Sequence, residues 1–298
     1  MKKLLFIVNP CAGQKEILRH LSDVIALFNR EGWEVTVYMT AYSGHGTEIA
    51  ESRCACFDRI VCAGGDGTLN EIITGVLYAG AKVPIGDIPC GSTNDFASTL
   101  RLPGNILQAA QIAASGTPMP HDVGKFGQRY FSYVASFGAF TRTSYTTPQN
   151  VKNALGHLAY WLDGISELAQ IRKTHVRFEC DDQVLEDDFI FGAISNATSV
   201  GGVLTLDPRQ VDLQDGKFEL LLIRRPKDMA EMSECIRALR EQRYESSVIT
   251  FRSFSRLTVY PDSSMPWSLD GERAEGEEQI AIENLHHAIQ IIHPEENP

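Results

Sequence analysis

Two hydrophobic rhythms divide the chain. Through the first third, short apolar runs alternate with helical stretches: KKLLFIV, EVTVYMT, RIVCAGG and VPIGDIP are separated by an amphipathic run from Gln14 to Asn29, a helical stretch through GTEIAESRC, and another from about Leu69 to Tyr78. Strand and helix in turn, joined by short glycine-rich links, predict crossover units around a parallel sheet. Such sheets gather ligands at the carboxyl ends of their strands. NPCAG, GGDGT and PCGSTND each follow one of those strands, so the three loops should converge on one edge. From about Val123 the texture becomes aromatic and alternating, in VGKFGQRYFSYVASFGAF and THVRFECDDQVLEDDFIFGAISNA. That pattern predicts antiparallel sheet. A helix is expected in PQNVKNALGHLAYWLDGISELAQI and another from about Lys227 to Arg243, with SFSRLTVYP and AIQIIHP as closing strands. The expected architecture is an α/β N-terminal domain with a parallel sheet, residues 1–122, followed by a mainly antiparallel β domain, residues 123–298. The break is placed between Pro118 and Val123, and the last strand is free to return to the first domain.

Composition narrows the function classes. The 298 residues are 43% hydrophobic and 22% charged, as in ordinary globular proteins, and length alone favours two domains. A net charge of −11 argues against a broad basic surface for nucleic acid. Seven cysteines, an odd number set mostly among apolar neighbours, read as reduced thiols. Cys54 and Cys56 have the C-x-C spacing of some zinc sites but lack a second pair at a matching distance. The N-terminal apolar run of five residues before Asn9 is too short for a signal peptide, so a cytoplasmic protein is expected.

The chemistry concentrates in AGGDGTLNE. Successive glycines after a strand let backbone N–H groups form an anion-binding concavity, reinforced by the following helix N-terminus. Asp66 inside such a loop would repel phosphate unless a divalent cation stood between them, and hard oxygen ligands with phosphate suit magnesium. A tight strand-to-helix turn with Asp66 as N-cap is the competing reading of the glycines alone. The loop is neither a Walker loop nor the dinucleotide fingerprint.

GGDGTLNE with PCGSTNDFA some twenty residues later resembles the catalytic domain of the diacylglycerol kinase family, particularly the soluble bacterial lipid kinases. Sphingosine and ceramide kinases share that domain, and NAD kinases and phosphofructokinases carry a related GGDG loop. NPCAG corresponds to the family's NPxSG with Ala12 in place of Ser, and GSTNDFA has Ser92-Thr93 where Thr-Gly is usual. LDGE matches the closing DGE motif, and TPQNVKNALGHLAYWLDG also resembles the bacterial members. The resemblance implies an NAD kinase/diacylglycerol kinase-like fold and transfer of the γ-phosphoryl group of ATP to a lipid hydroxyl. Gly64, Gly65, Gly67 and Thr68 would hold phosphate oxygens, Asn9 would approach the adenosine side, and Asn94 would contact the nucleotide. Asp66 and Asp95 would position magnesium.

The acceptor hydroxyl needs a base, and the resemblance gives that role to Asp270, with Glu272 as reserve base or supporting partner. Read alone, LDGE is a hairpin turn. In LTLDPRQVDLQDGKFELLLI the resemblance implies a structural magnesium at Asp215, where the residues alone allow a bare turn. Lys15 could steer the triphosphate or be merely solvated. Arg237, Arg240 and Arg243, three residues apart, with Arg224, Arg225 and Lys227 before them, could meet anionic headgroups at a membrane surface; Glu231, Glu234 and Glu241 in the same helix favour a salt-bridged face. The expected partners are ATP and a lipid drawn from the membrane during transient contact, without nucleic acid. Oligomeric state is open, a homodimer included. The alternatives are an NAD kinase-like phosphotransferase and a non-catalytic nucleotide-binding regulator.

Overall fold

The computed structural model describes residues 2–138, 173–181, 183–197, 199–200, 204–205, 212–241, 243–244, 246–261 and 265–294. The helix expected in 148–171 lies outside them. The chain forms two compact units, Met1–Asp122 with His287–Pro298, and Val123–His286.

The first unit alternates β1 (Lys2–Val8), α1 (Glu16–Arg30), β2 (Trp33–Met39), α2 (His45–Arg53), β3 (Arg59–Gly64), α3 (Asp66–Tyr78), β4 (Ile85–Pro89), α4 (Asp95–Thr99) and α5 (Ile106–Ser115). The strands run parallel in the order β4-β3-β1-β2. Leu4 lies between Val35 and Arg59, which sets the register. On one face Phe6, Val8, Val61, Ala63 and Ile88 pack under Val24 and Phe28 of α1 and Ala109, Ala110 and Ala113 of α5. The alanines of α5 let that helix lie close, and Phe6 meets Phe28 edge-on at 5.3 Å. Burying Ile17, Val24, Leu27 and Phe28 contributes about 1.5–3 kcal/mol each, so α1 is held mainly by its apolar stripe. Arg59 stacks on Trp33 and donates to the carbonyls of Ala113 and Ala114 at 2.8 and 2.7 Å, closing the C-terminus of α5. Asn105 caps its other end through Leu107 N and Gln108 N.

The second unit is antiparallel. The chain leaves the first unit along β5 (Thr117–Phe126), then forms β6 (Arg129–Phe131), β7 (Val134–Gly138), β8 (Thr174–Cys180), β9 (Gln183–Ser195), the short pair β10 (Ser199–Val200) and β11 (Leu204–Thr205), and β12 (Phe218–Arg224). After a helix at Met229–Arg240 come β13 (Ile249–Phe254), β14 (Arg256–Pro261), β15 (Trp267–Leu269), β16 (Glu272–Ala274) and β17 (Ile280–His293), whose end belongs to the first unit. The strand order is β16-β15-β7-β9-β8-β14-β17, with β12 between β9 and β13. Phe131, Phe137, Phe178, Phe218, Phe254 and Trp267 fill the core.

The strand–helix alternation and the antiparallel second half follow the hydrophobic pattern. The chain passes from one unit to the other at Asp122–Val123 within the unbroken strand β5, with no loop between them. The prolines of β5 lie at the strand's exposed start, where a missing N–H costs little.

Candidate active site

Helix α3 begins at Asp66, three residues before the apolar periodicity announces it, because a helix's first turn need not bury anything. Asp66, Gly67 and Thr68 therefore form the first turn, whose N–H groups have no partner inside the helix and carry its positive end. Neither Gly64 nor Gly65 has a positive φ, so the demand for glycine here is one of space. A Cβ on Gly64 would strike Thr68 at 2.5 Å, and one on Gly91 would strike the Cα of Gly65 at 2.5 Å. A Cβ on Gly13 would lie 2.3 Å from the Cys90 carbonyl oxygen. The loops after β1, β3 and β4 thus touch backbone to backbone. Asn9 Nδ2 adds a 2.9 Å bond to Thr68 Oγ1, while Asn9 Oδ1 accepts from Cys11 N. Lys15 sits in the left-handed region at the start of α1, exposed to solvent.

Asp66 accepts from Asp95 N and Phe96 N, both at 3.1 Å, so one carboxylate both starts α3 and caps α4. Burial and the nearby Asp95 carboxylate push its pKa up to about 6. Asp95 is itself buried. Two acids this close, at two helix N-termini, form a site whose charge a cation would relieve. A third acid, Asp87, was not visible as a candidate: it reads as one polar residue inside an apolar strand. It is buried opposite Cys62 on β3, and burial, then Asp66, hold it well above the usual carboxylate range. Asn94 occupies the left-handed region and spends both ends of its amide on Gly91, N to Oδ1 and Nδ2 to O, at 2.9 Å each. The left-handed position of this loop is therefore Asn94, a residue that tolerates it, and Thr93 is not among the positive-φ residues. Glu71, also missed, accepts from Gly44 N at 2.7 Å and Gly46 N at 2.9 Å and ties the start of α2 to α3.

In the second unit Asp270 and Gly271, with φ of 49° and 87°, make the two-residue turn between β15 and β16. The Asp270 carboxylate is 4% exposed and fully engaged. Oδ2 accepts from Ser132 N and Oγ, and Oδ1 from Tyr133 N and Val134 N, at 2.5–3.0 Å. Burial pushes its pKa up to about 6 against the pull of those four donors. Such a carboxylate has no lone pair free for a substrate proton, so the reading of Asp270 as base does not fit its surroundings. Glu272 has a half-exposed side chain in a loose 3.5 Å pair with Arg129.

Asp215 lies in the turn before β12 and accepts from Lys217 N at 2.9 Å. Glu219 Oε2 and Asn284 Oδ1 are buried with no hydrogen-bond donor among the described residues, and Asn284 Nδ2 donates to Lys217 O at 2.9 Å. Burial, then Asp215, push the Glu219 pKa up to about 8. Orphaned acceptor oxygens around one acidic turn suit a hard cation. Arg224 is bound to Glu231 through two contacts of 2.8 and 2.6 Å, and Arg243 to Glu241 at 2.8 Å, so these charges are already paired. Among the described residues no helix is long and apolar enough to cross a membrane.

Comparison with known proteins agrees with this geometry. Residues 3–126 match the diacylglycerol kinase catalytic domain, and residues 134–293 match the YegS C-terminal NAD kinase beta sandwich-like domain. The diacylglycerol kinase of Bacillus subtilis (strain 168) is 33% identical over 99% of this chain and 98% of its own. That of Staphylococcus saprophyticus is 32% identical over 91% and 89%. A crystal structure of a diacylglycerol kinase from Bacillus anthracis str. Sterne shares the fold with a TM-score of 0.75 at 21% identity, covering 99% of this chain and 97% of that one. A second structure from that organism reaches 0.82, also at 21% identity, over 99% and 98%. Whole-length identity to the Bacillus relative and both domain matches place the chain in the diacylglycerol kinase catalytic-domain family.

Proposed function

We infer that the chain is an ATP-dependent lipid kinase that transfers the γ-phosphoryl group to the hydroxyl of a lipid, with diacylglycerol, the substrate named for its relatives, as the acceptor. The observation that carries this is the glycine turn at the start of α3, packed without side chains against the loop that bears Asp95. Phosphoryl transfer asks for positioning and charge neutralisation more than covalent help. The N–H groups of Gly65 and Gly67 and the hydroxyl of Thr68 receive phosphate oxygens, with Gly64 giving the turn its room. Asn9 faces the adenosine side and also braces Thr68. Asn94 shapes its loop through Gly91 and reaches the nucleotide only by its backbone.

Asp66 and Asp95 are the residues to hold magnesium, and their mutual repulsion supports that fit. The ion, when bound, neutralises charge on the phosphates. Glu272, exposed and only loosely paired, takes the proton from the acceptor hydroxyl. Asp270 fixes the turn that presents it. Asp215, with the buried Glu219 and Asn284 oxygens, holds a second, structural cation. The enzyme meets its lipid by transient contact at the membrane surface.

The test is a panel of diacylglycerol, phosphatidylglycerol, a sphingoid base and NAD, incubated with ATP and magnesium and read by mass spectrometry. Phosphorylated diacylglycerol is the expected product. Product from NAD alone, or from nothing, would overturn the assignment.

A further inference from the structure

We propose that Tyr42, backed by His45, is the platform on which the purine ring of the nucleotide stacks. The proposal rests on the kinase reading above and deepens it, by naming the part of that site that receives the nucleoside.

Strand β2 lies beside β1, Met39 opposite Val8, and Thr40 N donates to Val8 O at 2.8 Å. The segment after β2 therefore opens at the same carboxyl edge as the Asn9 loop, where ligands of such sheets collect. There Tyr42 is 56% exposed. Its ring lies on the His45 ring at 4.7 Å and 15°, and its hydroxyl donates to Glu48 at 2.7 Å. One face of the phenol is thus covered by His45, while more than half of the residue stays exposed to solvent.

The loop that carries this ring is fixed. Ala41 N donates to His45 Nδ1 at 3.1 Å, and Glu71 of α3 receives Gly44 N and Gly46 N. Thr47 Oγ1 donates to the Glu71 carbonyl at 2.9 Å. A Cβ on Gly46 would strike Glu71 Oε2 at 2.7 Å, so the fit is tight. The helix that begins at the phosphate turn also sets the position of the aromatic ring. A flat, pre-ordered ring on the strand edge that carries the phosphate site suits a nucleotide base, which stacks without regard to hydrogen-bond pattern. Glu48 at the hydroxyl disfavours a phosphate or an anionic headgroup there, and one ring is too small a seat for an acyl chain.

Calorimetric titration with ATP and with inorganic tripolyphosphate, alongside steady-state kinetics, tests this in Tyr42→Ala, Tyr42→Phe and His45→Ala. Base stacking predicts that Tyr42→Ala weakens ATP binding and raises its KM about 5- to 100-fold. The same variant should leave kcat and tripolyphosphate affinity near wild type. Tyr42→Phe keeps the ring and should stay close to wild type, and His45→Ala should fall between. Wild-type ATP affinity in Tyr42→Ala, or an equal loss for ATP and tripolyphosphate, would overturn the proposal while leaving the kinase reading intact. Failure of the wild-type chain to bind ATP at all would overturn both.

Discussion

Replacing Asp270 by Asn and, separately, Glu272 by Gln separates the residue that builds the turn from the one that takes the proton. In Asp270→Asn the side chain keeps one acceptor oxygen, and its amide NH2 faces two of the four donors that now converge on the carboxylate. Each buried donor left without an acceptor costs about 1–3 kcal/mol, so the substitution should destabilise the protein by about 2–6 kcal/mol. At roughly 2–4 °C per kcal/mol for larger domains, the melting temperature should fall by about 4–24 °C. Glu272→Gln removes a charge from a half-exposed side chain whose pair with Arg129 is 3.5 Å long. Its melting temperature should hardly move, while kcat should drop about 10²–10⁴-fold with the loss of a general base. Differential scanning fluorimetry and a lipid-phosphorylation assay on the same preparations give both numbers. A stable but inactive Asp270→Asn beside an active Glu272→Gln would refute the argument and return the base to Asp270.

Further outcomes follow from other contacts. His121 is buried against His293, Nε2 to Nε2 at 2.6 Å, and burial followed by His293 lowers its pKa to about 3. A group charged more readily when unfolded gives stability that is complete above about pH 6.5 and is lost as pH falls toward 3. Wild type should lose about 2 kcal/mol between pH 7 and pH 5 in urea titrations, and His121→Gln should flatten that slope. Arg59→Met takes the donor from the Ala113 carbonyl, while Ala114 O keeps Trp33 Nε1, and should cost about 1–3 kcal/mol by the same titrations. Magnesium should raise the melting temperature of wild type, and Asp215→Ala should lose the part of that rise belonging to the second-unit site, read with ATP absent. Glu71→Ala should accelerate amide hydrogen exchange at Gly44 and Gly46, whose N–H groups it receives.

The fold was legible because each step depended on local pattern. Apolar runs bounded by glycine and alternating with helices admit few arrangements other than a parallel sheet, and that topology brings the loops after β1, β3 and β4 to one edge. The contacts of Gly13 with Cys90, Gly65 with Gly91, and Asn9 with Thr68 express this. What stayed hidden depends on which groups meet after folding. Asp270 and Glu272 are two residues apart on one hairpin, yet one is 4% exposed and the other half open to water. Nothing local distinguishes them, because the donors that claim Asp270 come from residues 132–134. Asp87 is hidden for a related reason: only the register of β4 against β3 sets it opposite Cys62. Glu71 looks like one more polar residue of a helix until α2 is placed beside it.

The first unit is discontinuous in sequence, and this bears on how it can be produced. On the β4 side its sheet is completed by the end of β17, whose Ile291, from the far end of the chain, pairs with Ile85. A fragment stopping at residue 122 would strip that neighbour away and expose β4 as a raw edge with unpaired backbone groups beside Ile85. It would also remove the partner of His121. Such a fragment should self-associate through that edge, whereas one carrying residues 287–294 on a short linker after Asp122 should remain dispersed.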